Sequence, residues 1–219
     1  MQVKVADILI PNTLNTKFLG VTLDNKLRWK AYSKELTFKL NKDCYAIRTI
    51  KALVSTKALI SIYFAYFHSL LMYAIIFWGN SPFSKEIFKI QKRAIRIIAN
   101  KVQRDSCRYL LNQFNILTLP AQYIFSVLIF VIENRDSFVV NNTVHGYNTR
   151  NNFDFHLPST HLSIVQRGVL HSGCRIFNSL PLFIKGHSEK PCYFRKLLKS
   201  YLLEQSFYTL EEYYQHSTQ

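Results

Sequence analysis

The chain has 219 residues, enough for one large domain or two small ones. Apolar residues make up 48% and aromatic residues 15%, so a hydrophobic core is expected to form and wholesale disorder is not expected. Lys and Arg number 28 against 13 Asp and Glu, which gives a net charge of +15. Such an excess favours a polyanionic partner, either nucleic acid or an anionic membrane surface.

The first 29 residues predict a β-hairpin. Residues 3–10 alternate as a strand does, residues 11–13 have turn chemistry, and residues 17–23 are the expected antiparallel partner. From residue 30 to about 54 the apolar positions recur at helical spacing. Ser55 is the expected N-cap of a second helix that runs to about residue 77.

Gly79 to Pro82 predict a strong break, after which Ser84 is the expected N-cap of a third helix to about residue 99. A short helix over 104–112 and a helix from Pro120 to about residue 134 are expected next. Residues 136–172 are polar and predict a linker or an extended surface segment.

Two helices are predicted near the C-terminus, over 173–180 and over 192–207. The predicted fold class is therefore α+β and mainly α. Its expected parts are a hairpin (1–29), a helical domain (30–134), a linker (135–172) and a helical C-terminal extension (173–219).

A membrane attachment is the first alternative that the composition raises. Residues 58–84 carry no Lys, Arg, Asp or Glu, and residues 60–78 are long enough to cross a bilayer. Tyrosines fall inside this stretch rather than only at its edges, and Ser and His interrupt it. A buried helix and no membrane partner are therefore expected.

The cysteines indicate a reducing compartment. Cys44, Cys107, Cys174 and Cys192 lack metal-ligand spacing, so buried free thiols and no structural zinc are expected. The first residues lack the architecture of a signal peptide, so a nuclear or cytoplasmic protein that is not secreted is expected. The start resembles the middle of a strand, and Met1 is interpreted as an internal methionine of a longer parent.

Catalysis by this chain alone is not expected. Metal-dependent chemistry on phosphates needs converging carboxylates, but the six Asp are far apart in the sequence. There is no Gly-rich phosphate loop and no nucleophile elbow.

Binding has better support, from the predicted third helix. Seven basic residues against one acid, Glu86, lie between residues 85 and 104. On a helix, Lys89, Arg93 and Arg96 form one stripe with Lys92 on its flank, while Ile87, Ile90, Ile97 and Ile98 face the opposite side. Such a helix can track a phosphate backbone without reading bases, although a solvated amphipathic helix has the same pattern.

Other candidates are scattered along the chain. Arg48 and Lys51 form a second basic group with Lys57. Trp29 lies between two cations and is expected either to stack on a base or to anchor the hairpin by packing. His68 is expected to be a satisfied core histidine, and residues 147–150 a basic surface loop.

Several short sequence motifs occur in a specific order: Lys17-Phe18-Leu19-Gly20, Tyr66-Phe67-His68-Ser69-Leu70, Trp78-Gly79-Asn80, Gln91-Lys92-Arg93-Ala94-Ile95-Arg96, Asp105-Ser106-Cys107-Arg108, Tyr147-Asn148-Thr149-Arg150 and Phe194-Arg195-Lys196-Leu197-Leu198. This order resembles the C-terminal part of the reverse transcriptase of jockey-type insect non-LTR retrotransposons.

The resemblance implies an RNA-directed DNA polymerase as the parent, with Phe18, Leu19 and Gly20 at the palm hairpin that supports the primer, and a thumb-like domain beyond it. The implied partners are RNA, DNA or an RNA–DNA hybrid, together with the palm and fingers that this chain lacks. The aromatic-x-Asp-Asp turn of the palm is absent, so the Mg²⁺ that the parent would use is not expected here, and no cofactor is. A non-catalytic protein-interaction module, or a domesticated remnant, is the alternative.

Overall fold

The computed structural model describes residues 3–5, 8–10, 13–102, 106–144 and 154–216. Helices dominate these residues, and four short strands form two antiparallel pairs at the N-terminal end. The predicted fold class, α+β and mainly α, is confirmed.

The strand pairing differs from the prediction. Strand β1 (Val3–Val5) pairs with β2 (Ile8–Ile10), and β3 (Asn15–Phe18) pairs with β4 (Val21–Asp24). The single strand predicted over 3–10, and its pairing with 17–23, are therefore wrong.

The reason lies at the tip of the second hairpin. Leu19 and Gly20 both have positive φ, 46° and 78°, which is the conformation of a two-residue type I′ turn. Because the twist of this turn suits antiparallel strands, residues 17–23 fold back on themselves rather than onto residues 3–10.

The largest helix, α1 (Lys30–Ile50), confirms the periodicity over 30–54 but ends four residues earlier. It buries Leu36, Leu40, Cys44 and Ile47, which recur at the three- and four-residue spacing of one helical face. Ser55 then begins the next helix as predicted, since its hydroxyl accepts a 3.3 Å hydrogen bond from the Ala58 N–H.

That next helix is not continuous to residue 77. It comprises α2 (Thr56–Ile62), a π-helical segment (Tyr63–His68), and α3 (Ser69–Met72). A break follows at Tyr73 and Ala74, before α4 (Ile75–Trp78).

Hydrogen bonds from two aromatic side chains to the backbone accompany this break. The Tyr73 carbonyl accepts bonds from Trp78 Nε1 at 2.9 Å and from the Tyr32 hydroxyl at 3.3 Å, and Ala74 adopts a positive φ of 54°. Both donors belong to buried side chains that would otherwise have an unpaired polar group, so the bend supplies their acceptor. No helix in the described part of the chain is long and apolar enough to cross a membrane.

Helix α5 (Ser84–Ala99) matches the predicted third helix, but its cap does not. Phe83 occupies the N-cap position, and the Ser84 hydroxyl donates to the Ser81 carbonyl at 2.8 Å instead of capping. Asn100 ends the helix in the left-handed conformation, with φ 56°.

Helices α6 (Arg108–Gln113) and α7 (Leu119–Glu133) follow. Thr118 caps α7 through a 3.2 Å bond from the Ala121 N–H, and the helix begins at Leu119, so Pro120 is its second residue rather than, as predicted, its first. Because α7 is apolar on nearly every side, it is buried between other helices.

The remaining elements are a 3₁₀ turn (Arg135–Ser137) and helices α8 (Asn141–Val144), α9 (Ser163–Gln166), α10 (Val169–Asn178), α11 (Leu182–Lys185), α12 (Pro191–Gln205) and α13 (Leu210–His216). Helix α10 begins four residues before the prediction, and α13 was not predicted. Both α10 and α12 pack against α7.

One hydrophobic cluster runs from Val21 to Tyr213. It includes Phe155, from the segment predicted as a linker, which is fully buried and has its backbone bonded to the Asn178 side chain at 2.9 and 2.8 Å. The predicted division into parts at 29, 134 and 172 stays a prediction.

Candidate nucleic-acid interface

Helix α5 presents the candidate cations on its outer side. We call Lys89, Lys92, Arg93 and Arg96 the α5 cationic face. Lys89 and Arg93 are exposed, whereas Lys92 and Arg96 are partly buried. The opposite side lies in the core as predicted for Ile87, Ile90 and Ile98, although Ile97 is only partly buried.

A buried glutamine, which the sequence reasoning did not single out, fixes this helix. Gln91 is fully buried; its Nε2 donates to the Leu117 carbonyl at 2.9 Å and to the Tyr63 hydroxyl at 3.1 Å. Its Oε1 accepts the Leu119 N–H at 2.8 Å. Since all three bonds lie in the core, they set the position of α5 relative to the start of α7.

Aromatic rings restrain Lys92, which lies at one edge of the α5 cationic face. The Lys92 ammonium lies 4.7 Å from the Phe88 ring centroid and 5.1 Å from that of Tyr208. The Arg108 guanidinium lies 4.4 Å from the same Tyr208 ring and forms an ion pair with Glu212. Lys92 therefore keeps its charge near solvent while its position is restrained.

The second basic group lies beside the other edge of the face. Helix α1 packs along α5, and Arg93 donates to the Asn41 side chain of α1 at 3.2 Å. Arg48, in the last turn of α1, is exposed, while Lys51 donates to Asn100 at the end of α5 at 2.5 Å. The structure thus places the predicted cations of α1 and α5 on neighbouring helices.

The primer-grip-like residues lie elsewhere. Phe18 and Leu19 are exposed at the tip of the β3–β4 hairpin, and Gly20 supplies its turn. The Tyr73 hydroxyl donates to the Leu19 carbonyl, which ties this tip to the helix break. Strand β4 packs against α1, with Thr22 donating to Glu35 at 2.8 Å.

Trp29 packs against neighbouring aromatic rings, which is one of the two roles predicted for it, and its stacking on a base stays a prediction. Its ring is half-buried, stacked on Phe77 with centroids 6.4 Å apart, and lies edge-on to Tyr32. Its backbone is left-handed, with φ 67°, a strained conformation for a bulky residue. Packing anchors the ring, yet part of it stays accessible.

Asp24 holds that strained backbone in place. Its carboxylate accepts hydrogen bonds from the backbone N–H groups of Trp29 at 2.7 Å, Arg28 at 3.0 Å and Lys26 at 3.1 Å. Burial by itself raises the pKa of Asp24, but these hydrogen bonds outweigh it, and the net pKa lies below the usual carboxyl value.

We expect Asp24→Asn to loosen Trp29. The amide oxygen can still accept two N–H groups, but the amide nitrogen meets the Trp29 N–H donor to donor. Protection of the Trp29 amide against hydrogen exchange should fall at neutral pH, whereas Glu35→Gln should leave it unchanged. In the wild type, the lowered pKa means that this stabilisation is complete above the unfolded pKa, near 3.8, and is lost as the pH falls through the folded value. Equal protection in Asp24→Asn would contradict this role.

His68 and one cysteine differ from their predictions. Burial, and secondarily the charge of Lys199, lowers the pKa of His68 to about 4. Its Nδ1 is buried without a hydrogen-bond partner in the described part of the chain, so it is not a satisfied histidine. None of the four cysteines, all within the described part of the chain, forms a disulfide; Cys44, Cys107 and Cys174 are buried as predicted, but Cys192 is exposed.

Two arginines that the sequence reasoning missed, Arg167 in the segment predicted as a linker and Arg175 in the helix after it, add to the basic surroundings of α5. Arg167 comes directly after α9, and Arg175, on α10, lies 4.3 Å from the Tyr214 ring centroid. Nothing in their local sequence signals that they approach α5. The predicted basic loop over 147–150 lies outside the described residues.

Among the described residues, no three His, Cys, Asp or Glu side chains are grouped so that they could hold a metal ion. Comparison of the chain with protein-family models, with curated proteins and with solved structures gives no match.

Proposed function

We propose that this chain is a nucleic-acid-binding piece of a non-LTR retrotransposon reverse transcriptase, and that it holds the template-primer through the α5 cationic face. The observation that carries the proposal is the position of these cations. Lys89 and Arg93 are exposed on a helix whose other side is buried and whose position Gln91 fixes. Glu86 is the one acid on that helix.

The mechanism is sequence-independent phosphate contact. Lysine and arginine on one helical side neutralise successive phosphates and release counterions, without reading bases. Arg48, on the adjacent α1, extends the contact, while Lys51 is already bonded to Asn100. The hairpin tip at Phe18, Leu19 and Gly20 would support the primer end, and the palm and fingers of the parent would supply the carboxylates and Mg²⁺.

The test is the salt dependence of binding to a blunt-ended RNA–DNA hybrid. Changing Lys89, Lys92, Arg93 and Arg96 together to Gln should reduce the slope of log K against log salt by up to about 3.6, because each lost phosphate contact removes roughly 0.9. Lys190→Gln with Lys196→Gln removes two exposed charges on or beside α12 and should have little effect. An unchanged slope in the folded quadruple variant would contradict the proposal.

A second candidate function rests on exposed apolar side chains. Phe18 is 63% exposed and Leu19 73%, and Tyr66, Tyr73 and Phe77 are also exposed. Such a surface, near the hairpin and the helix break, is typical of a protein-interaction module. Sedimentation velocity across a concentration series tests self-association: a monomer at every concentration excludes a self-associating module.

A further inference from the structure

Two clefts meet beside α5 and form one groove. The first, of about 340 Å³, is lined by Trp29 and Phe77 together with Lys26, Arg28 and Arg167. The second, of about 600 Å³, is lined by Lys85, Lys89, Lys92, Arg167 and Arg175. Both clefts are lined by Asn80, Ser81, Pro82 and Arg167, so they adjoin at the turn after α4.

The charge along this groove is one-sided. Seven different cationic side chains line the two clefts, and Glu211 is the one carboxylate among the lining residues. In the described part of the chain, none of the seven forms an ion pair. The charge is therefore available to a polyanion, with Lys92 and Arg175 positioned by aromatic rings.

The two ends of the groove differ in chemistry. The first cleft offers the stacked rings of Trp29 and Phe77, and Phe77 is 54% exposed. Their centroids are 6.4 Å apart, too close to admit a base between them, so a base would lie against the ring surface that faces the cleft. The second cleft offers cations for phosphates.

The junction carries an unpaired polar group. Ser81 is only 6% exposed, and its hydroxyl has no hydrogen-bond partner among the described residues. A buried hydroxyl without a partner is costly. Ser81 lines both clefts, so this residue lies where a strand passing between them would run.

We propose that this groove binds one single strand of nucleic acid, with a base stacked at Trp29 and Phe77 and the following phosphates along Lys85, Lys89, Arg167 and Arg175. Alternation of an aromatic platform with cations is how proteins hold single strands without sequence preference. A double helix presents its bases stacked inside and cannot use the platform. This inference rests on the proposed function and adds a separate path for an unpaired strand.

The probe is a fluorescein-labelled oligodeoxythymidine of about 12 nucleotides, within the site size of known single-strand grooves. An abasic backbone of the same length carries equal charge without bases. Phe77→Leu should weaken oligothymidine binding roughly 5- to 150-fold, the effect of one lost base–aromatic stack, and leave abasic binding unchanged. Trp29→Phe, which keeps an aromatic ring, should weaken it less.

Charge variants separate this groove from the α5 cationic face. Arg167→Gln with Arg175→Gln lies in the groove but off α5 and should weaken the oligothymidine alone. Arg48→Gln with Arg93→Gln lies outside both clefts and should weaken the RNA–DNA hybrid alone. Circular dichroism and thermal melting confirm that each variant is folded.

The outcomes distinguish the two proposals. Hybrid binding with no oligothymidine binding, or with oligothymidine binding insensitive to Phe77 and Arg167, overturns the groove and leaves the α5 cationic face. Oligothymidine binding through the groove without hybrid binding overturns the proposed function. Abasic backbone or polyglutamate competing as well as oligothymidine shows a general polyanion patch and overturns the single-strand site.

Discussion

Replacing Gln91 with leucine is expected to lower the free energy of unfolding by about 3 to 5 kcal/mol. Leucine fills the space but leaves the Leu117 carbonyl, the Leu119 N–H and the Tyr63 hydroxyl without this partner. Each buried polar group left unpaired costs about 1–3 kcal/mol, partly offset because the amide itself is no longer buried. Urea denaturation measures the loss as a lower midpoint at an unchanged slope.

The matched control is Gln122→Leu on α7. Gln122 is also buried, but within the described part of the chain its side chain has one long bond, 3.4 Å to the Ser126 hydroxyl. Because so little is lost, its unfolding free energy should change by no more than about 1 kcal/mol. If the two substitutions cost the same, the three bonds of Gln91 do not set the position of α5.

Gln91 also illustrates what the sequence could predict. The helix over 84–99, its basic side and its isoleucine side all follow from the 3.6-residue period, since that period is local. The period also places Gln91 on the inner side, among the isoleucines. Its partners could not be predicted, because Leu117 and Leu119 approach it only through the packing of α7.

The features that the sequence did not predict also depend on contacts between distant segments. The helix break at Tyr73 and Ala74 interrupts an apolar stretch without Gly or Pro, and its bonds come from Tyr32 and Trp78. The groove likewise joins residues just after the second hairpin with residues of α5 and α10, which lie far apart in the sequence. Local patterns predict elements, whereas these features depend on which elements meet.

The turn that forms the floor of that groove has little tolerance for added volume. Gly79 has an ordinary φ of −61°, so its conformation does not require glycine. A Cβ atom built there would lie 2.5 Å from Cδ2 of Tyr123 and 2.7 Å from the Ile75 carbonyl oxygen. Neither neighbour can withdraw easily: one is a fully buried ring on α7 and the other is backbone.

We therefore expect Gly79→Ala to lower the free energy of unfolding by about 2 to 3 kcal/mol, the usual cost of forcing extra volume into a packed core. Gly186→Ala is the control, because its Cβ would meet only the Leu182 carbonyl at 3.5 Å, and it should be neutral or stabilising by up to about 1 kcal/mol. Thermal or urea unfolding of the two variants measures these changes. Equal unfolding free energies would show that the Tyr123 ring moves aside at no cost.

The same substitution should also affect binding. Since the displaced turn includes Asn80 and Ser81, folded Gly79→Ala should bind oligothymidine more weakly while hybrid binding is kept.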